Sequence, residues 1–115
     1  MMIQEKSFEF SLKIIELYKL LTQKNEFVIS KQLLRSATSV WANIEEASAG
    51  QTKKDFHTKM TIASKEARET RYWLRLLDKS SLTNIPMEEY LSDIEEIIKI
   101  LTKIVKTTYE NLTKR

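Results

Sequence analysis

One glycine and one proline in 115 residues constrain this chain more than any other feature of its sequence. Tight turns depend heavily on these two residue types, and a multistranded β fold needs many such turns. Gly50 and Pro86 are therefore isolated breaks in a chain that is otherwise free to form long helices. The sequence predicts an all-α fold.

Apolar residues recur at alternating steps of four and three, which is the spacing of a packed helix seam. This pattern predicts four helices, over residues 5–22, 31–48, 53–79 and 86–113. Four helices with short connections favour an antiparallel up-down-up-down four-helix bundle that forms one domain over residues 1–115. The apolar rows are Phe10, Ile14, Leu17 and Leu21; Leu33, Ala37, Val40, Ile44 and Ala47; Phe56, Met60, Ala63, Ala67, Thr70, Leu74 and Leu77; and Met87, Leu91, Ile94, Ile98, Leu101, Val105, Thr108 and Leu112.

Residues between the rows give signals for helix ends. Ser30 is predicted to be the N-cap of the second helix, with Phe27 or Val28 packed back onto the bundle before it. Gly50 is expected to close that helix in the left-handed conformation, because glycine adopts it without steric cost. Thr52 is expected to cap the third helix.

Three of the helices also carry a second apolar face. Two interpretations remain open: the extra residues broaden one core, or they form an interface between subunits. The second faces consist of Leu12, Ile15 and Tyr18; Ile62, Trp73 and Leu76; and Tyr90, Ile97 and Ile104.

The sequence shows no recognisable residue set for catalysis; carboxylate pairs such as Glu45 with Glu46 or Glu66 with Glu69 are present, but every helical bundle has such pairs. There is no cysteine, and the single histidine, His57, is preceded three positions earlier by Lys54 rather than by the glutamate of a bundle metal site. One glycine cannot form a phosphate-binding loop. We therefore predict no enzyme activity, no metal and no cofactor.

The lengths of the apolar segments indicate where in the cell the protein is expected to lie. No apolar run approaches the ~18 residues of a membrane span, and the first ten residues lack the apolar core of a signal peptide. We expect a cytoplasmic protein with no membrane partner.

A polar row runs beside the apolar row of the second helix. Such a row is usually a solvated face, but Ser39 and Asn43 are poor helix formers in the middle of a helix. Their position also fits a polar seam with Glu66 or Glu69 of the third helix, with Arg35 facing Glu69 as an ion pair. The polar row consists of Arg35, Ser39, Asn43 and Glu46.

The third helix has a bias toward positive charge. Residues 53–79 include eight basic and four acidic residues. The surface is either an ordinary solvated face or a contact surface for a phosphate backbone. We call its candidate nucleic-acid-binding residues the basic strip: Lys54, Lys65, Arg68, Arg71, Tyr72, Arg75 and Lys79.

Residues 33–77 also resemble a known family. The segments RSATSVWANIEEASAGQTKKDF and IASKEARETRYWLRLL are similar to the four-helix-bundle proteins of 23S ribosomal RNA intervening sequences, whose relatives include the accessory variability determinant proteins of diversity-generating retroelements. Twelve residues match the family pattern: Arg35, Ser39, Val40, Ala42, Asn43, Ile44, Glu46, Lys54, Phe56, Ala63, Glu69 and Leu74.

The resemblance implies a bundle that assembles as a ring-like homopentamer. For the retroelement relatives it also implies a basic surface that binds nucleic acid and a reverse transcriptase. Two residues on the second helix depart from the pattern. Trp41 stands where glycine or another small residue is usual, and Glu45 stands where alanine is usual.

Together these observations favour a non-enzymatic, oligomeric helical protein that binds RNA, DNA or an RNA–protein complex through the basic strip. The alternative is an adaptor or structural module that contacts other proteins and binds no nucleic acid. In that case the charges of the third helix serve solvation alone.

Overall fold

The computed structural model describes residues 1–114 and contains four long helices. They are α1 (Met2–Gln23), α2 (Val28–Ala49), α3 (Lys53–Lys79) and α4 (Glu88–Thr113). The described part of the chain has no strand, so the predicted all-α class is confirmed. The four helices form a compact rod of 54 × 22 × 21 Å.

The core of the rod contains most of the predicted apolar rows. Those of α1 and α2 are buried throughout, and in α3 only Phe56 is half-exposed. The row of α4 is buried at its centre and becomes exposed toward Leu112, where the helix extends past its neighbours' cover. The alternation of four and three therefore identified the inner face of every helix correctly.

Contacts between helices follow a regular order along the chain. In three neighbouring pairs, the contact positions advance along one helix as they go back along the other. Between α1 and α2 the contacts are Gln4 with Glu45 and Ser11 with Ala37. Between α2 and α3 they are Arg35 with Glu66 and Glu46 with Lys59, and between α1 and α4 they are Lys6 with Glu96 and Lys13 with Glu89.

The seam between α1 and α4 is held by ion pairs. Lys13 Nζ lies 2.5 Å from Glu89 Oε1 and 2.7 Å from Asp93 Oδ2, and Lys6 Nζ lies 3.1 Å from Glu96 Oε1. Hydrogen bonds to Asp93 and Glu89 raise the pKa of Lys13. This ladder of charges closes the bundle at its outer edge.

The prediction that Ser30 caps α2 was wrong. The helix begins at Val28, and the carboxylate of Glu26 accepts hydrogen bonds from the backbone N–H groups of Val28, Ile29 and Ser30 at 3.2, 2.9 and 2.7 Å. Ser30 is buried within the first turn and donates its hydroxyl to the Glu26 carbonyl at 2.8 Å. An acceptor two residues before the helix thus replaces the expected cap.

The turn before α2 is a C-terminal helix motif. Asn25 has a φ of 66°, the left-handed value that closes such a motif. Glu26 N–H reaches the Leu21 carbonyl at 2.9 Å, and Asn25 N–H reaches the Thr22 carbonyl at 3.0 Å. The tight turn carries Phe27 outward, so the predicted packing of Phe27 or Val28 onto the bundle was wrong.

Gly50 does not adopt the left-handed conformation. Its φ and ψ are −66° and 146°, an extended conformation that other residues also reach, so that prediction was wrong. Glycine fits here because a Cβ atom would lie 3.1 Å from the Ala47 carbonyl oxygen and 3.3 Å from Asp55 Cβ. The predicted cap of α3 is confirmed, since Thr52 Oγ1 accepts from Asp55 N–H at 3.0 Å.

The second apolar faces differ in how deeply the bundle buries them. On α4, Ile97 is fully buried and broadens the core. On α1, Leu12 remains 49% exposed beside Phe8, which is 45% exposed. An apolar surface is therefore left open along α1, and we call Phe8, Leu12, Ile15 and Trp41 the α1–α2 apolar face.

Within residues 1–114, no helix combines the length and the apolar character that crossing a bilayer requires.

Candidate nucleic-acid interface

The C-terminal half of α3 forms one wall of an open groove. Residues at steps of three and four on a helix share a face, and this spacing brings the cations of the basic strip together around one aromatic ring. The groove has a volume of about 410 Å³. Its lining consists of Arg68, Arg71, Tyr72, Arg75, Leu76 and Lys79.

Two of the arginines are held in place by α4. An amino group of Arg71 lies 3.0 Å from Glu95 Oε1, and one of Arg68 donates to Thr102 Oγ1 at 3.0 Å. Arg75 is exposed and forms no salt bridge within residues 1–114. The groove therefore combines two anchored guanidinium groups with one that points freely into solvent.

Tyr72 lies between these cations with 55% of its surface exposed. Its ring meets the Trp73 ring edge-on, with centroids 4.8 Å apart and an interplanar angle of 66°. The Trp73 indole N–H donates to Glu69 Oε2 at 3.1 Å. Trp73 is thus tied to Glu69 by a hydrogen bond, and Tyr72 is the exposed member of the aromatic pair.

The polar row of α2 is tied to this aromatic pair through Glu69. Arg35 forms ion pairs with Glu69 and, at 3.2 Å, with Glu66. Burial lowers the pKa of Arg35, but the bond to Glu69 and the charge of Glu66 outweigh it, so the pKa lies above its usual value. The predicted contact between Arg35 and Glu69 is confirmed.

The other members of the polar row behave differently. Asn43 donates to the Ser39 carbonyl of its own helix at 2.8 Å, so the expected bonding of Ser39 and Asn43 to Glu66 or Glu69 was wrong. Those two glutamates are already engaged by the longer side chain of Arg35. Glu46 does pair with α3, through Lys59 at 2.9 Å.

The remaining members of the basic strip lie toward the start of α3. Lys54 and Lys65 are exposed, and neither forms a salt bridge in the described residues. At 1.5 Å per residue, the distance along the helix from Lys54 to Lys79 is about 37 Å. The strip therefore extends well beyond the groove along the long axis of the rod.

α4 adds cations that the sequence pattern did not bring into the site. Lys99 and Lys106 are exposed and share a row with Glu95 and Thr102, at steps of four, three and four. Because Glu95 and Thr102 contact α3, the two lysines lie on the edge of α4 nearest the basic strip. The spacing from Glu95 to Lys106 indicates from the sequence that these residues share one side of α4. It does not indicate that this side lies next to the basic strip.

Across residues 1–114, no group of three or more histidine, cysteine or acidic side chains is placed to hold a metal ion. The half-buried His57 lies at the other end of α3, with Nδ1 2.6 Å from Thr108 Oγ1. What the groove offers is positive charge and an aromatic surface.

The fold and this arrangement can be compared with known proteins. The family model described as 23S rRNA-intervening sequence protein matches residues 1–103. The chain belongs to this family. No curated protein sequence matches the chain.

A solved relative supports the assignment to the 23S rRNA-intervening sequence protein family. It is a protein of unknown function from the S23 ribosomal protein family of Bacteroides thetaiotaomicron, 47% identical to this chain. The similarity covers 90% of this chain and 98% of the relative, with a TM-score of 0.84. Sequence and fold therefore agree over nearly the whole length.

The two departures from the family pattern both face α1. The Trp41 ring lies against the Phe8 ring, with centroids 5.5 Å apart, and Glu45 Oε1 accepts from Gln4 Nε2 at 3.1 Å. Both side chains thus contribute to the contact between α1 and α2. They leave the basic strip on α3 untouched.

Proposed function

We propose that this member of the 23S rRNA-intervening sequence protein family is a non-enzymatic, oligomeric protein that binds nucleic acid through the basic strip of α3. The observation that carries the proposal is the groove in which Arg68, Arg71 and Arg75 surround the exposed ring of Tyr72. We further infer that the helices run up-down-up-down and antiparallel, because contacts between neighbours pair early with late residues.

Charge supports a backbone-binding role. A phosphate backbone gains from cations that are already held in place by hydrogen bonds, as Arg68 and Arg71 are. Lys54 and Lys65 extend the same field along the helix, so a bound strand follows the rod axis. RNA, free or within an RNA–protein complex, is the partner we favour for a cytoplasmic member of this family.

Self-association would strengthen binding, because each subunit adds one more basic strip. The α1–α2 apolar face lies on helices that do not carry the basic strip, so subunits joined through it leave every strip open to solvent. Several linked strips raise the apparent affinity through effective concentration. We propose a ring-like homo-oligomer, with five subunits as the resemblance implies.

A mobility-shift assay on a structured RNA tests the main proposal. Arg68, Arg71 and Arg75 are changed together to glutamate, and binding is followed from low to high salt. We expect the wild-type affinity to fall steeply with salt, and the variant to lose at least about tenfold in affinity with a salt slope shallower by about 2. Unchanged affinity in the variant contradicts the proposal.

The matched control reverses the charge of three exposed lysines that lie outside the basic strip. Lys19, Lys24 and Lys31 lie at the junction of α1 and α2, and their change to glutamate alters the net charge by the same amount. We expect this control to retain most of the affinity. Equal losses in both triple variants would indicate attraction to net charge rather than to the basic strip.

The exposed apolar face also supports a second candidate function. An adaptor module would use Phe8, Leu12 and Trp41 to hold another protein, and its α3 charges would serve only solvation. This candidate predicts no nucleic acid in the purified protein and no shift of any RNA. The assay above therefore separates the two functions. A reverse transcriptase, which the resemblance implies for the retroelement relatives, would be such a protein partner.

A further inference from the structure

We propose that the groove on α3 takes single-stranded nucleic acid and stacks one unpaired base on the ring of Tyr72. The inference rests on the proposed function and adds the class of nucleic acid and the residue that selects it. It starts from Tyr72, which is the one aromatic side chain among the described residues that line the groove and is more than half exposed.

The ring of Tyr72 packs against a neighbouring ring. Its contact with Trp73 has an interplanar angle of 66° at a centroid distance of 4.8 Å, and Tyr72 itself lines the groove with more than half of its surface exposed. Trp73 cannot turn freely, because its indole N–H is bound to Glu69. Glu69 is in turn bound by Arg35 from α2.

This support from two helices lowers the cost of binding. A side chain that is already ordered loses little conformational entropy when a ligand arrives. The arrangement fits a platform for a flat ligand.

The surrounding cations identify that ligand as nucleic acid. Arg68 lies one turn before Tyr72 and Arg75 nearly one turn after it, so positive charge flanks the ring along the helix axis. A base on the ring would have its 5′ and 3′ phosphates near these two guanidinium groups. A duplex offers no free base face, since its bases already stack on one another.

The experiment measures binding by fluorescence anisotropy with three labelled probes of equal length. They are a single-stranded uridine oligomer, an abasic oligomer with the same phosphates, and a double-stranded RNA. The proteins are the wild type, Tyr72→Ala and Tyr72→Phe. Tyr109→Ala is the matched control, because Tyr109 is 59% exposed on α4.

We expect Tyr72→Ala to weaken binding of the uridine oligomer at least about fivefold, because stacking of one base is lost. Tyr72→Phe keeps the ring and should bind like the wild type. The abasic and double-stranded probes should bind Tyr72→Ala and the wild type equally. Tyr109→Ala should match the wild type with all three probes.

Other outcomes overturn the inference in distinguishable ways. If Tyr72→Ala binds the uridine oligomer as tightly as the wild type, or loses the uridine and abasic oligomers equally, stacking is contradicted while the basic strip still binds phosphate. If the wild type prefers the duplex, the single-strand assignment is contradicted. If the wild type binds none of the probes, the proposed function fails as well, and a protein partner takes its place.

Discussion

Two hydroxyl groups lie in the apolar interior where α2 meets α3. Thr70 Oγ1 is 2.9 Å from Ser36 Oγ and 2.8 Å from the Glu66 carbonyl, and both side chains are fully buried. Ser36 Oγ also reaches the Leu33 carbonyl at 3.2 Å. Each hydroxyl therefore has a carbonyl partner in its own helix, and the bond between the two hydroxyls joins α2 to α3.

This pairing predicts non-additive effects on stability. Thr70→Val should lower the free energy of unfolding by about 1 to 2 kcal/mol, since the shape is kept but Ser36 loses a partner. Ser36→Ala should cost a similar amount. The double variant should cost less than the two single changes together, because both single changes remove the same hydrogen bond between the two hydroxyls. Urea denaturation of the four proteins measures this, and strict additivity would contradict the pairing.

Arg35 shows why an ion pair can matter without adding much stability. Its side chain is 47% exposed, so solvent screens its attraction to Glu66 and Glu69, and such pairs contribute little. Its more specific effect is to hold Glu69 under Trp73. The sequence indicated this pair, because Arg35 stands in the polar row of α2 and Glu69 is one of the acidic residues of α3 expected to face that row.

At the scale of the helix, the ends were harder to predict than the faces. The apolar rows placed α3 at its observed bounds and gave the buried side of all four helices. The start of α2 was missed because Ser30 has a good capping side chain, whereas the acceptor is Glu26, which lies outside the helix. Propensity describes one residue at a time, and this cap depends on the left-handed turn at Asn25.

The cap at Glu26 gives a prediction for α2. Glu26→Ala removes the acceptor of three backbone N–H groups, and it should lower the free energy of unfolding by about 1 to 2 kcal/mol. Glu26→Gln keeps an acceptor oxygen and should recover part of the loss. Thermal unfolding followed by circular dichroism compares the variants. Equal stability of wild type and Glu26→Ala would show that the cap is dispensable.

The candidate site illustrates the same limit of sequence reasoning. The spacing of the basic strip placed Arg68, Tyr72 and Arg75 on one face, as found. It could not show that Arg68 and Arg71 are anchored by α4, because their partners lie 34 and 24 positions away in sequence, respectively. Contacts between distant segments require the packed fold.

At the scale of the whole molecule, the two surfaces lie on different helices. The basic strip is on α3, while the α1–α2 apolar face is on the first two helices. A protein with both surfaces can associate with itself and bind a ligand without competition between the two. This division of the rod is what the proposed oligomer requires.

Self-association can be tested at the apolar face. Leu12→Glu places a charge at the centre of the α1–α2 apolar face, and we expect it to reduce the solution mass toward that of a monomer. Leu82→Glu is the control, because Leu82 is 54% exposed in the connection between α3 and α4. Light scattering after size-exclusion chromatography measures the mass. A wild type that is already monomeric contradicts the oligomer and removes the argument from linked strips.

The contacts of Trp41 and Glu45 have a consequence for how the chain can be recombined with its relatives. Each departure on α2 has its own partner on α1, Phe8 for Trp41 and Gln4 for Glu45. A chimera that takes α2 alone from a relative with small residues at these positions would leave Phe8 without its ring partner and Gln4 without its acceptor. The first two helices are therefore a unit of exchange, to be swapped between relatives together.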